Sequence, residues 1–218
     1  MSTRRTQQLK VVVSALTRRR PEMLGALIAS WGEMDIPENT QVIFLIVEND
    51  DEPRTAEYVQ RFGTLANGTT VHYVHEPELG IPFGRNRAAK EAIEQGADLL
   101  AFVDDDEVVA KDWLVELIGA YRQSEAVLIG GPLRVKETER SLSFIDGLMD
   151  RCISQRYLRK EKRAARRADL NGTPGVTIVT NNWLGETSIF DEHGIWFDER
   201  MRFTGGTDSK LSAEVKAA

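Results

Sequence analysis

The 218-residue chain is 41% hydrophobic and 28% charged, a globular composition with enough length for a sizeable core. No apolar run approaches the roughly 20 residues that span a bilayer, and MSTRRTQQLK at the N-terminus is no signal peptide, so the expected compartment is the cytoplasm. The single cysteine, Cys152, excludes an internal disulfide and a cysteine-based zinc cluster, and the net charge of −6 argues against general nucleic-acid binding.

The first half of the chain alternates strand and helix signals. Leu9–Leu16 is a short valine-rich run that predicts a buried strand. Thr17–Arg20 form a polar loop before Pro21, which suits a first helical turn; Leu24, Leu27, Ile28 and Trp31 then make one apolar face. Gln41–Val47 predicts a second buried strand, ending in Glu48-Asn49-Asp50-Asp51. A helix is expected over Thr55–Phe62 and a short strand over Thr70–Val74. Gly80–Gly84 reads as a loop, followed by a helix from about Arg85 to Gln95 with Gly96 as its terminator. Leu99–Val103 is the third strong strand. Asp112 can cap the next helix, whose apolar face is Leu114, Leu117, Ile118 and Tyr121.

Val127–Ile129 predicts another strand, closed by Gly130-Gly131-Pro132. Beyond it the pattern is less regular: one or two helices over 141–170, a turn at Gly172–Gly175, a strand over Val176–Val179, and a strand or helix over Trp183–Phe190. From Leu211 a helical pattern runs to the last residue without a cap, so the chain reads as cut short. Residues 151–167 carry eight Lys or Arg against Glu161 alone. That stretch reads either as a solvated helix face or as a contact with anionic lipid headgroups or a polyprenyl diphosphate, at about 1 kcal/mol per basic residue near such a surface.

Buried strands alternating with amphipathic helices predict an α/β fold in which a parallel sheet is covered on both faces. Such sheets bind ligands at the carboxyl ends of their strands, where the polar clusters 17–20, 48–51 and 104–107 fall. Asp104, Asp105, Asp106 and Glu107 follow directly on the apolar LLAFV. Four adjacent carboxylates at the end of a buried strand repel one another and call for a compensating cation. Oxygen-only ligands select a hard divalent ion such as Mg2+ or Mn2+, which in turn can hold a substrate diphosphate. The other reading of the same residues is an acidic surface turn.

Six segments in order, VVVSALTRRRPEML, VENDD, GIPFGRNRA, FVDDDE with KDWL behind it, TNNWL and FTGGTDSKL, resemble the family 2 glycosyltransferases, and among them the bacterial exopolysaccharide enzymes of the succinoglycan type. The resemblance runs from about Val11 to the C-terminus. It implies the GT-A fold, a nucleotide-diphospho-sugar transferase architecture with a mostly parallel sheet and helices on both faces. It also implies a single domain over 1–218, with a nucleotide-sugar half at about 9–131 and an acceptor half at about 132–218.

The site residues follow from the resemblance position by position. Thr17, Arg19, Glu48 and Asp50 stand where relatives hold the nucleobase and ribose; a carboxylate at Glu48 can accept from the N3–H of uracil, which favours a UDP-sugar. Relatives usually carry Asp there. Gly80 and Arg85 belong to a loop that approaches the nucleotide or its diphosphate, with Gly84 in place of the usual Ala. Asp104 is assigned to the ribose and Asp106 to Mn2+ or Mg2+, with Asp105 between them. Asp208 is the general base that deprotonates the acceptor, and transfer inverts the anomeric centre. Thr207 departs from the usual Glu before it.

Asn181, Asn182 and Trp183 fall on the acceptor side, where the amides can bond sugar hydroxyls and the indole can stack on a pyranose or pack in the core. Trp31 and Trp113 lie on helical faces and read as core. The implied partners are a nucleoside diphosphate sugar and a glycan or polyprenyl-linked acceptor, met at the inner face of the plasma membrane if the basic stretch binds lipid. Three rivals remain. One is a nucleotidyltransferase, although LTRRRPEML lacks a glycine-rich phosphate loop. A haloacid-dehalogenase-type phosphatase would need a Thr after the acid motif, where Val108 stands. The third is a catalytically impaired nucleotide-sugar-binding domain, suggested by Thr207.

Overall fold

The computed structural model describes residues 7–133 and 182–218, with the isolated positions 155, 159 and 162. The expected helices of 141–170, the strand over Val176–Val179, the basic stretch 151–167, Cys152 and Asn181 lie outside the described residues, apart from those three positions. The elements in chain order are β1 (Leu9–Thr17), α1 (Pro21–Glu33), β2 (Thr40–Glu48), α2 (Ala56–Gln60), β3 (Val71–His75), α3 (Ile81–Glu94), β4 (Leu99–Val103), α4 (Trp113–Gln123), β5 (Leu128–Gly130), β6 (Asn182–Glu186), α5 (Ser188–Asp191), a 3-10 turn at Glu199–Met201, and α6 (Thr207–Ala217).

The strands form one sheet in the order β3-β2-β1-β4-β6-β5. β1 is parallel to β2 and β4, and β2 to β3, whereas β6 runs antiparallel between β4 and β5. Alternation along the strands divides the core in two. Val11, Val13 and Ala15 of β1 face the same side as Phe44, Ile46, Leu99 and Ala101, and meet the apolar faces of α1 and α4. Trp31 of α1 stacks on Phe44 with ring centroids 4.8 Å apart. Val12, Leu45, Leu100 and Phe102 face the other side and meet Ala88, Ala89 and Ala92 of α3 together with Leu211 of α6. Small residues along that face of α3 let the helix lie close to the sheet.

One boundary differs clearly from expectation. α3 begins at Ile81, so the residues read as a loop are its first turn. Pro82 fits there because a first-turn residue needs no N–H partner and its φ is already helical. The chain enters through Gly80, at φ 138°, which only glycine tolerates easily. Asp112 occupies the N-cap of α4 but makes no side-chain capping bond. Gly84 also has a physical reason: a Cβ there would come within 2.7 Å of Leu16 Cδ2, so α3 packs against the end of β1 without room for the usual Ala unless Leu16 moves.

Trp183, read as either a stacking platform or core, is 1% exposed. Its ring lies 4.9 Å from that of Phe102 and 6.2 Å from that of Phe197, so it presents no face to an acceptor. Trp183→Ala is expected to lower stability by about 3–5 kcal/mol. Urea unfolding measures this, and a wild-type midpoint would contradict the core placement.

Candidate functional site

Parallel pairing brings the carboxyl ends of β1 and β2 level, Thr17 opposite Glu48, with β4 alongside β1. The loops leaving these ends meet the first turn of α3 and the segment 202–208 around a cleft of about 500 Å3. Thr17, Gly80, Arg85, Asp104, Asp105 and Asp208 all line it, so motifs far apart in sequence converge on one space.

The three aspartates after β4 have separate environments. Asp105 is turned inward, accepting a hydrogen bond from Thr17 Oγ1 at 2.8 Å, and burial raises its pKa. Thr17 therefore holds a carboxylate. Asp104 and Asp106 keep side chains 45% and 49% exposed. Desolvation raises the Asp104 pKa to about 6; Arg85 opposes the shift, and Asp106 and Asp105 add to it. Asp104 thus carries negative charge that the protein compensates incompletely.

Arg85 and Asp208 form a buried ion pair between α3 and the first turn of α6. Arg85 Nη2 also stands 3.9 Å from Asp104 Oδ1, and its guanidinium lies 5.8 Å and 5.5 Å from the ring centroids of Phe102 and Phe197. Burial lowers the Arg85 pKa to about 10, which still leaves it charged at neutral pH. The hydroxyl of Thr207 donates to Asp208 Oδ2 at 3.2 Å. Arg85 is thus bound to the acid of α6, a partner the sequence did not suggest.

Two acids of the turn after β2, Glu48 and Asp50, are sealed in. Glu48 is fully buried and accepts hydrogen bonds from the Thr55 backbone N–H at 2.9 Å, from the Thr55 hydroxyl, and from Tyr73 Oη at 2.5 Å. These bonds occupy the carboxylate expected to meet uracil, and burial beside Glu48 raises the Tyr73 pKa. Asp50 is also fully buried, gripped by Arg19 at 2.6 Å, Arg18 at 3.2 Å and Arg54 at 3.4 Å. The Arg19 hydrogen bond holds its pKa well below the usual carboxylate range. Arg19 and Asp50 therefore serve each other. Asn182, 5% exposed, accepts from Trp113 Nε1 at 2.8 Å and donates to the Pro132 carbonyl at 2.9 Å, which turns its amide into the fold.

Several cleft residues escaped the sequence reading. Arg20 reaches Asp105 and Asp106. Asn49 Oδ1 accepts from the Gly80 N–H at 2.8 Å, and its amide donates to the carbonyls of Glu76 and Glu78. Arg202 donates to the Leu79 carbonyl at 2.8 Å and pairs with Glu78 at 2.7 Å. Its Cβ would stand 2.8 Å from a Cβ on Gly80, so that glycine is needed for contact as well as for φ. The run of three arginines was the available signal for Arg20; the other contacts leave none.

The exposed carboxylates fit a divalent metal. They are hard oxygen donors at a strand end, with incompletely compensated charge on Asp104. No group of three or more His, Cys, Asp or Glu among the described residues could hold a metal alone. An ion of the Mg2+ type, bound through one or two carboxylates and substrate phosphates, suits that count. A larger groove of about 900 Å3 runs between α3 and α6 past His193 and Trp196, away from the acid motif. No helix among the described residues is long and apolar enough to cross a membrane.

The family model "Glycosyl transferase family 2" matches residues 11–194. Succinoglycan biosynthesis protein ExoM of Rhizobium meliloti (strain 1021) is 32% identical over 128 residues, 59% of this chain and 40% of that protein. Among solved structures, residues 1–349 of TarS from S. aureus superpose with a TM-score of 0.64 at 14% identity, covering 95% of this chain and 55% of that one. The mannosyltransferase PcManGT from Pyrobaculum calidifontis, in complex with GDP-Man and Mn2+, gives 0.63 at 18% identity, covering 96% and 52%. The sheet and helices described above are thus those of the GT-A enzymes, and the chain spans at most about half the length of these relatives.

Because the Asp50 pKa is lowered in the fold, its contribution to stability is present above the unfolded value of ~3.9 and is lost as pH falls through the folded value. Asp50→Asn is therefore expected to cost about 1.5–3 kcal/mol at pH 7, with the gap to wild type narrowing toward pH 3. Denaturant titrations at the two pH values measure it; a gap independent of pH would contradict the ionic grip.

Proposed function

The chain belongs to glycosyl transferase family 2, and on that premise we propose that it moves a sugar from a nucleoside diphosphate donor to an acceptor hydroxyl, with inversion. The observation that carries this reading is Arg85, which links Asp104 of the acid motif to Asp208 across one cleft. The residues lining that cleft come from both the expected nucleotide half and the expected acceptor half, in keeping with one domain over 1–218.

Asp106 would hold the divalent cation, Mn2+ or Mg2+, with Asp104 beside it at the ribose. When bound, such an ion stabilises the charge that develops on the leaving diphosphate. Asp105, fixed by Thr17, keeps the turn that presents its neighbours. Asp208 takes the proton from the acceptor hydroxyl as its oxygen bonds to the anomeric carbon. The bond from that carbon to the diphosphate oxygen breaks, and the nucleoside diphosphate leaves with the electron pair. Attack opposite the leaving group inverts the centre. Thr207, where relatives usually have Glu, steadies the second oxygen of Asp208.

Arg85 must release Asp208, at least in part, for the base to accept a proton, and an arriving diphosphate offers the guanidinium another anion. TarS in complex with UDP and PcManGT in complex with GDP-Man support a nucleoside diphosphate sugar as the donor. The Glu48 argument for uracil falls away because that carboxylate is sealed. The ExoM match favours a growing polysaccharide or lipid-linked glycan as acceptor, met at the inner face of the plasma membrane if residues 151–167 bind lipid.

A second reading, an impaired domain that only binds nucleotide-sugar, takes support from the same Arg85–Asp208 pair, which would weaken the base if it persisted. Asp208→Asn separates the two. On the catalytic reading it retains nucleotide binding and loses about 10²–10⁴ in transfer rate, the usual weight of general base catalysis. Undiminished transfer would require another base, and no transfer by the wild type would favour the impaired domain. Asp106→Ala is expected to fold normally and to lose metal-dependent turnover of the donor, read as nucleoside diphosphate release with and without Mn2+. Turnover at the wild-type level would remove the metal assignment.

A further inference from the structure

Three adjacent carboxylates need positive charge nearby, and Arg20 supplies it. It is the last residue before α1, its side chain is 54% exposed, and it lines the cleft. Its Nη1 stands 3.3 Å from Asp105 Oδ1 and 3.5 Å from Asp106 Oδ2. Both are long for charge-assisted hydrogen bonds, which favour about 2.7–2.9 Å. Its single positive charge offsets only part of the charge of the pair, and neither member holds it tightly.

Charge in the cleft gives the contact a direction. Arg18, Arg20, Arg85 and Arg202 line it with Asp104, Asp105 and Asp208, and Arg20 also reaches the half-exposed Asp106. Because Arg18 and Arg202 also answer Asp50 and Glu78, Arg20 and Arg85 are left facing Asp104, Asp105, Asp106 and Asp208, and the cleft keeps a net negative charge. A divalent cation drawn to that charge meets carboxylates that already hold a guanidinium, and a diphosphate entering with it offers the displaced guanidinium a new anion. Arg18 is paired with Asp50, Arg202 with the Leu79 carbonyl and Glu78, and Arg85 with Asp208 as well as Asp104. Among the described residues, the ion pairs of Arg20 are with Asp105 and Asp106 of the acid motif.

We propose that Arg20 is an exchangeable counter-ion of this site, paired with Asp105 and Asp106 when no divalent cation is bound and turned to the donor's diphosphate when one is. The inference rests on the nucleotide-sugar reading above and adds to it the residue that couples metal and donor binding. Arginine suits both states, because its planar fork can bond a carboxylate or a phosphate with the same donors. Metal alone must displace Arg20 and so binds weakly. Nucleoside diphosphate without metal can draw Arg20 away from the carboxylates and so binds measurably.

The test compares wild type, Arg20→Gln and Arg20→Lys in two titrations: Mn2+ without nucleotide, followed by the electron paramagnetic resonance of free Mn2+, and UDP, GDP and dTDP in EDTA, followed by calorimetry. Removing the charge is expected to tighten Mn2+ binding about tenfold and to weaken the best nucleoside diphosphate in EDTA about tenfold. The Lys variant, which keeps the charge and loses the fork, should bind Mn2+ like wild type and the nucleotide with intermediate affinity. It also serves if the Gln variant fails to fold. Opposite signs mark an exchanging counter-ion, since a residue that only supports the fold would weaken both. Movement of both affinities in one direction, or an unchanged Mn2+ affinity in Arg20→Gln, would overturn the inference while leaving the nucleotide-sugar reading intact. Failure of the wild type to bind any of the three nucleotides, with or without Mn2+, would overturn that reading and the role of Arg20 with it.

Discussion

Carboxylates gathered at one edge of a sheet need positive charge, and here arginines from other elements provide it. Asp50 is held by Arg18, Arg19 and Arg54, Asp105 by Arg20, and Asp208 by Arg85. Without these partners a buried carboxylate would take up a proton or draw water into the fold. Each pairing also ties down a loop. The grip on Asp50 fixes the exit of β1 to the exit of β2, and Arg85 fixes α3 to α6. Such pairs add little net stability compared with apolar packing, but removing one partner is costly, so they specify the arrangement of the edge more than they strengthen it.

That arrangement sorts the acids by availability. Glu48, Asp50 and Asp105 are consumed by internal partners, while Asp104 and Asp106 remain half exposed. Asp208 falls between the two groups, buried yet paired with an arginine that also approaches Asp104. A cleft with two open carboxylates, a coupled candidate base and several guanidinium groups suits a ligand that carries both phosphate and sugar. The two core layers serve this edge by holding the strand ends level.

Much of the architecture was legible because it rests on local patterns. Short apolar runs marked β1 and β2, and i, i+3, i+4, i+7 spacing marked α1 and α4 correctly to within a few residues. The abrupt change from LLAFV to DDDE marked the end of β4. What failed to show were partners. Glu48 looks like part of a solvated turn until Thr55 and Tyr73 close on it, and Tyr73 lies on another strand. Trp183 looks equally suited to sugar or core, and only the antiparallel insertion of β6 beside β4 sets it against Phe102. Arg20 was read as loop because its carboxylates lie 85 and 86 positions away.

A crystal structure of the protein with UDP and Mn2+ tests the central claim most directly. The account predicts the diphosphate in the cleft between Arg20 and the Asp104–Asp106 turn, with the cation on Asp106 and Arg20 withdrawn from Asp105. Nucleotide bound instead in the groove between α3 and α6, past His193 and Trp196, would contradict it.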